Sequence, residues 1–421
     1  MISGIVFALA ANLGPALALP ASRKSGPIQH VVIIVQENRS FNSLFNGFPK
    51  ARTVTRGLDS TGNEIPLAQV GIADTIDVQH SSHAFFSAWD NGKMDGFDLE
   101  SGGGPPGYAA YQYVPESDVA PYWSMASQYA LADNMFTSQL DDSFEAHQYL
   151  IAGQAQSSVD TPTRLPWGCS QNLEDVVETL TQQRAYGPTQ YPCFDYTTLA
   201  DELDAKNLTW RFYAPQVNVE GGFWSAYQAI NHIYQGGNGP QWLADVVSPE
   251  TGVLTFAPDG VLPNVTWVVP DYANSDHPGN DSNTGPSWVT SVVNAIGESQ
   301  YWNSTAIFVL WDDWGGAYDP VAPPQLDYDG LGIRVPLLCI SPYAVKGRVL
   351  HDQFETASIL RYVEDNFKLR HMAASDTRAR SAGDGCLNLK QAPRAFTPIS
   401  SEYGKAFFLR QRPSWTAPDD D

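Results

Sequence analysis

The chain is poor in basic residues: 24 Lys and Arg stand against 46 Asp and Glu among 421 residues, a formal net charge of −22. That balance excludes nucleic acid or an anionic membrane surface as the standing partner, since both recruit proteins through Lys and Arg. It favours solubility and leaves the chemistry open. Internal repeats and low-complexity tracts are absent, and 34 Gly, 30 Pro and 12% aromatics describe a loop-rich globular protein rather than a disordered or fibrous one. Cysteine is scarce, four in all. Long apolar runs are also missing, apart from residues 1–21, which are nearly all apolar or small, with Ala16-Leu17-Ala18 and Ala21 as cleavage candidates. No Lys or Arg precedes that run, so it reads as a signal peptide whose basic start is missing or whose start codon is misplaced. Gly4, Gly14, Pro15 and Pro20 interrupt it, which disfavours a stable membrane span and points to a secreted or periplasmic protein. The cysteines suit that compartment. Cys169 and Cys193 share a Pro- and aromatic-rich region and are placed for a local bridge, whereas Cys339 sits in the apolar run 335–340 and reads as a buried thiol unless Cys386 reaches it.

What is present is a series of buried strands that end in polar clusters. A chain this long buries a large core, either as one α/β domain with long excursions or as two domains. Val32, Ile33, Ile34 and Val35 read as a strand covered on both faces, because a half-exposed strand would alternate. That strand stops at Glu37, Asn38 and Arg39. In open α/β sheets such ends are where ligands bind, although the same pattern also describes a strand followed by a polar loop and a helix cap. Residues 264–270 form a second core strand leading to Asp271 and then Asp276-His277-Pro278. A third, 305–311, terminates in Asp312-Asp313-Trp314-Gly315-Gly316. Adjacent carboxylates at a strand end repel and are costly to desolvate, and a metal ion is the simplest compensation; the glycines let backbone approach closely. Arg334 introduces a further strand over 335–340.

Helical patterns are expected over 81–91, with Phe85, Phe86 and Trp89 on one face, and over 120–132, 148–154, 173–183, 197–206, 287–299 and 351–367. The stretch 57–75 reads as an irregular excursion with short strands, 156–250 as a cap or insertion over one side of the sheet that includes a strand over 209–214, and the tail from Ala373 as peripheral. Ser143 stands just before a predicted helix. It suits an N-cap, which the local pattern favours; it also suits a nucleophile facing an anion at the helix start.

Several blocks, taken in order, go further. They are Glu37-Asn38-Arg39-Ser40-Phe41, Asn91-Gly92-Lys93-Met94-Asp95-Gly96-Phe97, Asp133-Asn134 leading to Ser143, Asp276-His277-Pro278, Trp302-Asn303-Ser304-Thr305-Ala306, Asp312-Asp313-Trp314-Gly315-Gly316, and Arg334-Val335-Pro336 with Ser341-Pro342-Tyr343. This ordered set resembles the bacterial phosphoesterase family that includes acid phosphatases and the haemolytic and non-haemolytic phospholipases C. The resemblance implies an α/β fold with an alkaline-phosphatase-like core, a mostly parallel sheet flanked by helices and loop-rich cap insertions, over a domain of residues 29–372. It implies Glu37, Asn38, Asp312 and Asp313 as ligands of one divalent metal ion, Ser143 as nucleophile, and His80 and His277 as catalytic histidines beside the phosphate. Asn134, His147 and Asp276 are the expected substrate-binding residues. An oxygen-dominated ligand set suits Ca, Mg or Mn, with Zn as the choice if histidine joins. His80 and His277 would supply positive charge or donors, which suits an acidic operating pH.

Three departures from the family pattern stand out. Asp312-Asp313 replaces the commoner Asp-Glu, Asp319-Pro320 replaces Asp-His, and Asp141-Asp142-Ser143 replaces Gly-Pro-Ser or Gly-Pro-Thr. The leading expectation is a phosphomonoesterase of acid-phosphatase type acting on a small phosphorylated substrate, because the chain stops at residue 421 without the large additional modules of family phospholipases. A phospholipase C, with aromatic clusters at 108–113 and 223–227 near a phospholipid headgroup, is the enzymatic alternative. A non-catalytic binding protein that kept the fold is the other.

Overall fold

The computed structural model describes residues 26–162, 164–215 and 222–412. The signal-like segment 1–21 lies outside the described residues, as do Pro413 and Asp419–Asp421. The uninterrupted apolar runs become the central strands: β1 (His30–Gln36), β2 (Ala130–Ala132), β3 (Trp210–Tyr213), β4 (Val246–Val247), β5 (Val265–Val268), β6 (Thr305–Trp311), β7 (Leu337–Ile340) and β8 (Arg348–Leu350). They form one eight-stranded sheet in the order β4-β3-β5-β1-β6-β7-β2-β8. Every pair is parallel except those that β7 makes with β6 and β2. Residues 31–35 are fully buried, as a strand at the middle of a two-sided sheet requires.

The helices that matter for the site are α1 (Ser82–Trp89), α2 (Ala120–Gln128), α3 (Ser143–Ala152), α4 (Leu199–Asp204), α5 (Gly285–Gly297), α6 (Ala357–Phe367), α7 (Ala374–Arg378) and α8 (Lys405–Phe408). α2 packs on α5, α3 on α6, and α6 on α7. Sheet and flanking helices together give the α/β layering expected from the sequence.

Several expectations change. The helix expected over 120–132 ends at Gln128, because Ala130–Ala132 is drawn into the sheet between β7 and β8. No helix forms over 173–183; Glu178–Thr179 pairs antiparallel with Ser158–Val159, and the Val177 N–H donates to the Gln190 carbonyl at 2.9 Å. The β-branched residues Val176, Val177, Thr179 and Thr181 suit that extended backbone better than a helix. The region 156–250 is not wholly a cap, since β3 and β4 lie within it and extend the sheet edge. Nor is the tail from Ala373 peripheral: Cys386, Ile399 and Phe408 are buried in the main core. Cys386 does reach Cys339, and the two form a disulfide alongside Cys169–Cys193, leaving neither pair as free thiols.

Arg334 fixes the loops beneath the site. Fully buried, it donates Nε to Asp319 Oδ1 at 2.8 Å and a terminal nitrogen to Asp319 Oδ2 at 3.0 Å, and it also serves the Asp133 carbonyl. Asp319, which Pro320 follows, is therefore committed to this fork-to-fork pair.

Candidate active site

β1 and β6 are parallel neighbours in register from His30 opposite Thr305 to Gln36 opposite Trp311. The residues that follow, Glu37-Asn38 and Asp312-Asp313, therefore leave the sheet side by side at its carboxyl edge. Backbone bonds carry the pairing onward: the Asp312 N–H donates to the Gln36 carbonyl and the Arg39 N–H to the Asp313 carbonyl, each at 3.0 Å. The Asn38 N–H donates to Asp312 Oδ1, also at 3.0 Å. Asn38 takes φ +58, and its carbonyl passes so close to Gly315, itself at φ +57, that a Cβ there would stand 2.1 Å from the oxygen. Only glycine fits that position.

α3 delivers the hydroxyl. Asp142, not Ser143, occupies the N-cap position, and Ser143 is the first residue of the helix. Its Oγ lies 3.3 Å from Asn38 Oδ1 and 3.2 Å from Asp313 Oδ2, and its single proton serves one of them at a time. One turn on, His147 shares the same helix face. Its Nε2 stands 3.3 Å from Glu37 Oε1 and 3.6 Å from Asp312 Oδ2.

Two further histidines close the cluster. His80, just before α1, places Nδ1 2.9 Å from the Val78 carbonyl and Nε2 2.8 Å from Asn38 Nδ2. Nε2 is also 3.8 Å from Asp313 Oδ2. His277 places Nδ1 2.6 Å from the Pro278 carbonyl, and its ring lies edge-on to that of His80 with centroids 6.4 Å apart. A carbonyl only accepts, so Nδ1 of each ring carries a proton. All eight side chains are at most 1% exposed. Trp224, equally buried, stacks on His147 at 6.2 Å and lies 6.1 Å from His277.

Burial and the neighbouring Asp312 push the Glu37 carboxyl well above the usual carboxylate range. Burial acts on Asp312 in the same direction, but His147, Glu37 and the Asn38 N–H outweigh it and hold Asp312 below its ordinary value. Glu37 Oε1 and Asp312 Oδ2 accept no hydrogen bond although both are buried. Ligand atoms of Glu37, His147 and Asp312 all lie within 4.8 Å of one another. Unsatisfied carboxylate oxygens that converge on an imidazole nitrogen are a donor set that fits a divalent cation, so the residues present suit a metal.

The structure thus brings Glu37, Asn38, Asp312, Asp313, Ser143, His80, His147 and His277 into one cluster. Two other sequence candidates stand apart from it. Asp276 turns its Oδ2 to Tyr122 Oη at 2.8 Å and Trp311 Nε1 at 3.0 Å, while its N–H donates to Gln36 Oε1 at 2.7 Å. Burial lifts its carboxyl to about 6, and it anchors the His277 loop from beneath. Asn134 lies just past β2 at the same sheet edge, two strands from β6, and its carbonyl accepts the Phe354 N–H at 3.0 Å. Trp224 belongs to the aromatic cluster 223–227 that the sequence offers for a headgroup, and the structure sets it against His147 and His277. Sequence reasoning named His147 for substrate rather than for the Glu37–Asp312 pair; the four-residue spacing from Ser143 was the available signal.

Known proteins bear on this arrangement. The profile of the Phosphoesterase family matches residues 28–370. Non-specific phospholipase C1 of Arabidopsis thaliana is 25% identical over 431 residues, covering 89% of this chain and 73% of that protein. Non-hemolytic phospholipase C of Pseudomonas aeruginosa is 27% identical over 436 residues, and the chain spans 59% of its length. A crystal structure of a protein in the alkaline phosphatase superfamily from Vibrio parahaemolyticus superimposes with a TM-score of 0.40 and 12% identity, over 86% of this chain and 74% of that one. With a family match over most of its length, the chain belongs to the Phosphoesterase family and is a hydrolase acting on phosphoric ester bonds.

Proposed function

We propose that Ser143 is the nucleophile of a metal-assisted phosphodiester hydrolysis of phospholipase C type, and that the Ser143 Oγ held between Asn38 and Asp313 is the observation that carries this reading. The hydroxyl attacks phosphorus in line with the leaving oxygen; the Oγ–P bond forms as the ester P–O bond breaks. Asp313 Oδ2, 3.2 Å from the hydroxyl, takes its proton. His277, with Nδ1 held by Pro278, acts as an imidazolium whose Nε2 gives its proton to the departing alkoxide, help worth roughly 10²–10⁴-fold. Water then attacks the phosphoserine from the vacated side, Nε2 of His277 takes the water's proton, and Ser143 leaves with its proton returned by Asp313. His80 orients the Asn38 carboxamide. A divalent cation held by Glu37, Asn38, Asp312 and Asp313, with His147 beside it, would neutralise the phosphoryl oxygens and lower the pKa of the Ser143 hydroxyl.

Charge favours a diester. Glu37, Asp312 and Asp313 bring up to three negative charges into a buried site, and a diester adds one where a monoester adds close to two at neutral pH. The relatives named phospholipase C point the same way. The acid-phosphatase reading is supported by the same charge count at low pH, since a monoester falls to one negative charge below about pH 6. Two disulfides support a secreted or periplasmic location in either case.

The deciding experiment compares p-nitrophenyl phosphate, its bis-ester and phosphatidylcholine vesicles, with and without chelator, from about pH 4 to pH 8. Diester and lipid turnover that chelation abolishes is expected. Turnover of the monoester alone, confined to acid pH, would transfer the assignment to an acid phosphatase. Hydrolysis unaffected by exhaustive chelation would remove the metal from the reading.

A further inference from the structure

Away from the Ser143 cluster, a second group of ligating side chains converges where α6 ends and α7 begins. Glu364 projects from the last turn of α6, His371 from the connecting loop, and Asp376 from the first turn of α7. One donor atom from each lies within 4.8 Å of the other two. Glu364 and Asp376 are buried, while the His371 side chain is 37% exposed.

We propose that Glu364, His371 and Asp376 form a binding site for a zinc-class divalent cation, separate from the Ser143 cluster. Three observations carry it. Glu364 Oε2 sits 2.6 Å from His371 Nδ1, so a nitrogen and an oxygen donor already meet. Glu364 Oε1 is buried and accepts no hydrogen bond, so one oxygen of that carboxyl is left over for a cation. Asp376 is held in place by the backbone N–H groups of Met372 and Ala373, at 2.7 and 3.1 Å, and such outer bonds fix a ligating carboxylate.

An imidazole and two carboxylates are ligand types that zinc accepts, and the open, solvent-facing side leaves room for water to complete a tetrahedron. Ligand atoms on a tetrahedral zinc stand about 3.3 Å apart, so the Glu364–His371 pair must open by about 0.7 Å. His371, half in solvent, is free to supply that movement.

The site has a mechanical neighbour. Ser375 Oγ donates to the Gly153 carbonyl at 2.6 Å, at the far end of the helix that begins with Ser143. A cation here ties α6 to α7 behind α3 and stabilises the fold by mass action, without touching the reacting atoms.

The test is calorimetric titration of the metal-stripped full chain with zinc chloride, repeated for His371→Ala and Glu364→Gln. Asp376 is left intact because it caps α7. Wild type is expected to bind one more equivalent than either variant and to gain thermal stability that the variants do not. Ester hydrolysis by His371→Ala should stay within about twofold of wild type, which separates this site from the Ser143 cluster. Equal stoichiometry in all three proteins, each folded by circular dichroism, would overturn the proposal.

Discussion

Ser143 sits one residue inside α3, and this decides what its hydroxyl does. A serine at the capping position turns its oxygen back to the first helix N–H groups; here Asp142 holds that position, and Ser143 Oγ is left to Asn38 and Asp313. Removing the hydroxyl costs the helix little and the chemistry nearly everything. Ser143→Ala should lower turnover on the order of 10³–10⁶-fold, as loss of a covalent nucleophile does elsewhere. Metal content by elemental analysis and the far-UV spectrum should match wild type. Residual activity within tenfold of wild type, with metal retained, would dismiss Ser143 as nucleophile.

At the scale of elements, the strands were the readable part. Runs such as residues 32–35 and 306–311 contain no polar residue that would permit an exposed face, so their burial follows from composition alone. Once they pair in parallel, the Gln36–Trp311 register forces Glu37-Asn38 against Asp312-Asp313. What stayed hidden was settled by partners distant in sequence. Nothing within 173–183 announces that Gln190 and residues 158–159 will claim its backbone, and Asp276 reads as a site residue until Tyr122 and Trp311 are seen to hold it.

A testable case at this scale is His232, whose ring bridges Asp195 at 2.7 Å and the α4 residue Asp201 at 3.0 Å. The bond to Asp201, against the opposing effect of burial, lifts the imidazole to about 9 from its ordinary 6.5. A raised pKa in the folded state means that this stabilisation is complete below pH 6.5 and is lost as pH climbs through 9. The Tm difference between wild type and His232→Asn should accordingly be largest near pH 6, shrink through pH 8, and vanish by about pH 10. A difference that is constant or grows with pH would show that the ring acts through packing instead.

For the whole molecule, the C-terminal stretch is what the sequence most understates. Its prolines and charges suggest a strand of chain lying loosely on the surface. Yet Trp302 Nε1 donates to the Arg394 carbonyl at 2.8 Å, Asn294 bonds Ile399 through both its amide atoms, and Phe408 on α8 packs on Trp288 of α5 at 5.3 Å. The Cys339–Cys386 disulfide then joins this stretch to β7, at the antiparallel turn of the sheet, across a sequence separation of 47. Closing a loop of that length removes entropy from the unfolded chain worth about 4 kcal/mol, slightly more than the about 3.4 kcal/mol for the shorter Cys169–Cys193 loop. Replacing Cys339 and Cys386 together with alanine should therefore lower the unfolding free energy by about 4 kcal/mol in urea denaturation. Because β7 lies beside β6 and not at its carboxyl edge, hydrolysis per folded molecule should be unchanged at 25 °C. A loss of stability below about 1 kcal/mol would mean that the noncovalent contacts of the tail already confine it in the unfolded chain, and a proportionate loss of activity would mean that the tail positions Asp312 and Asp313.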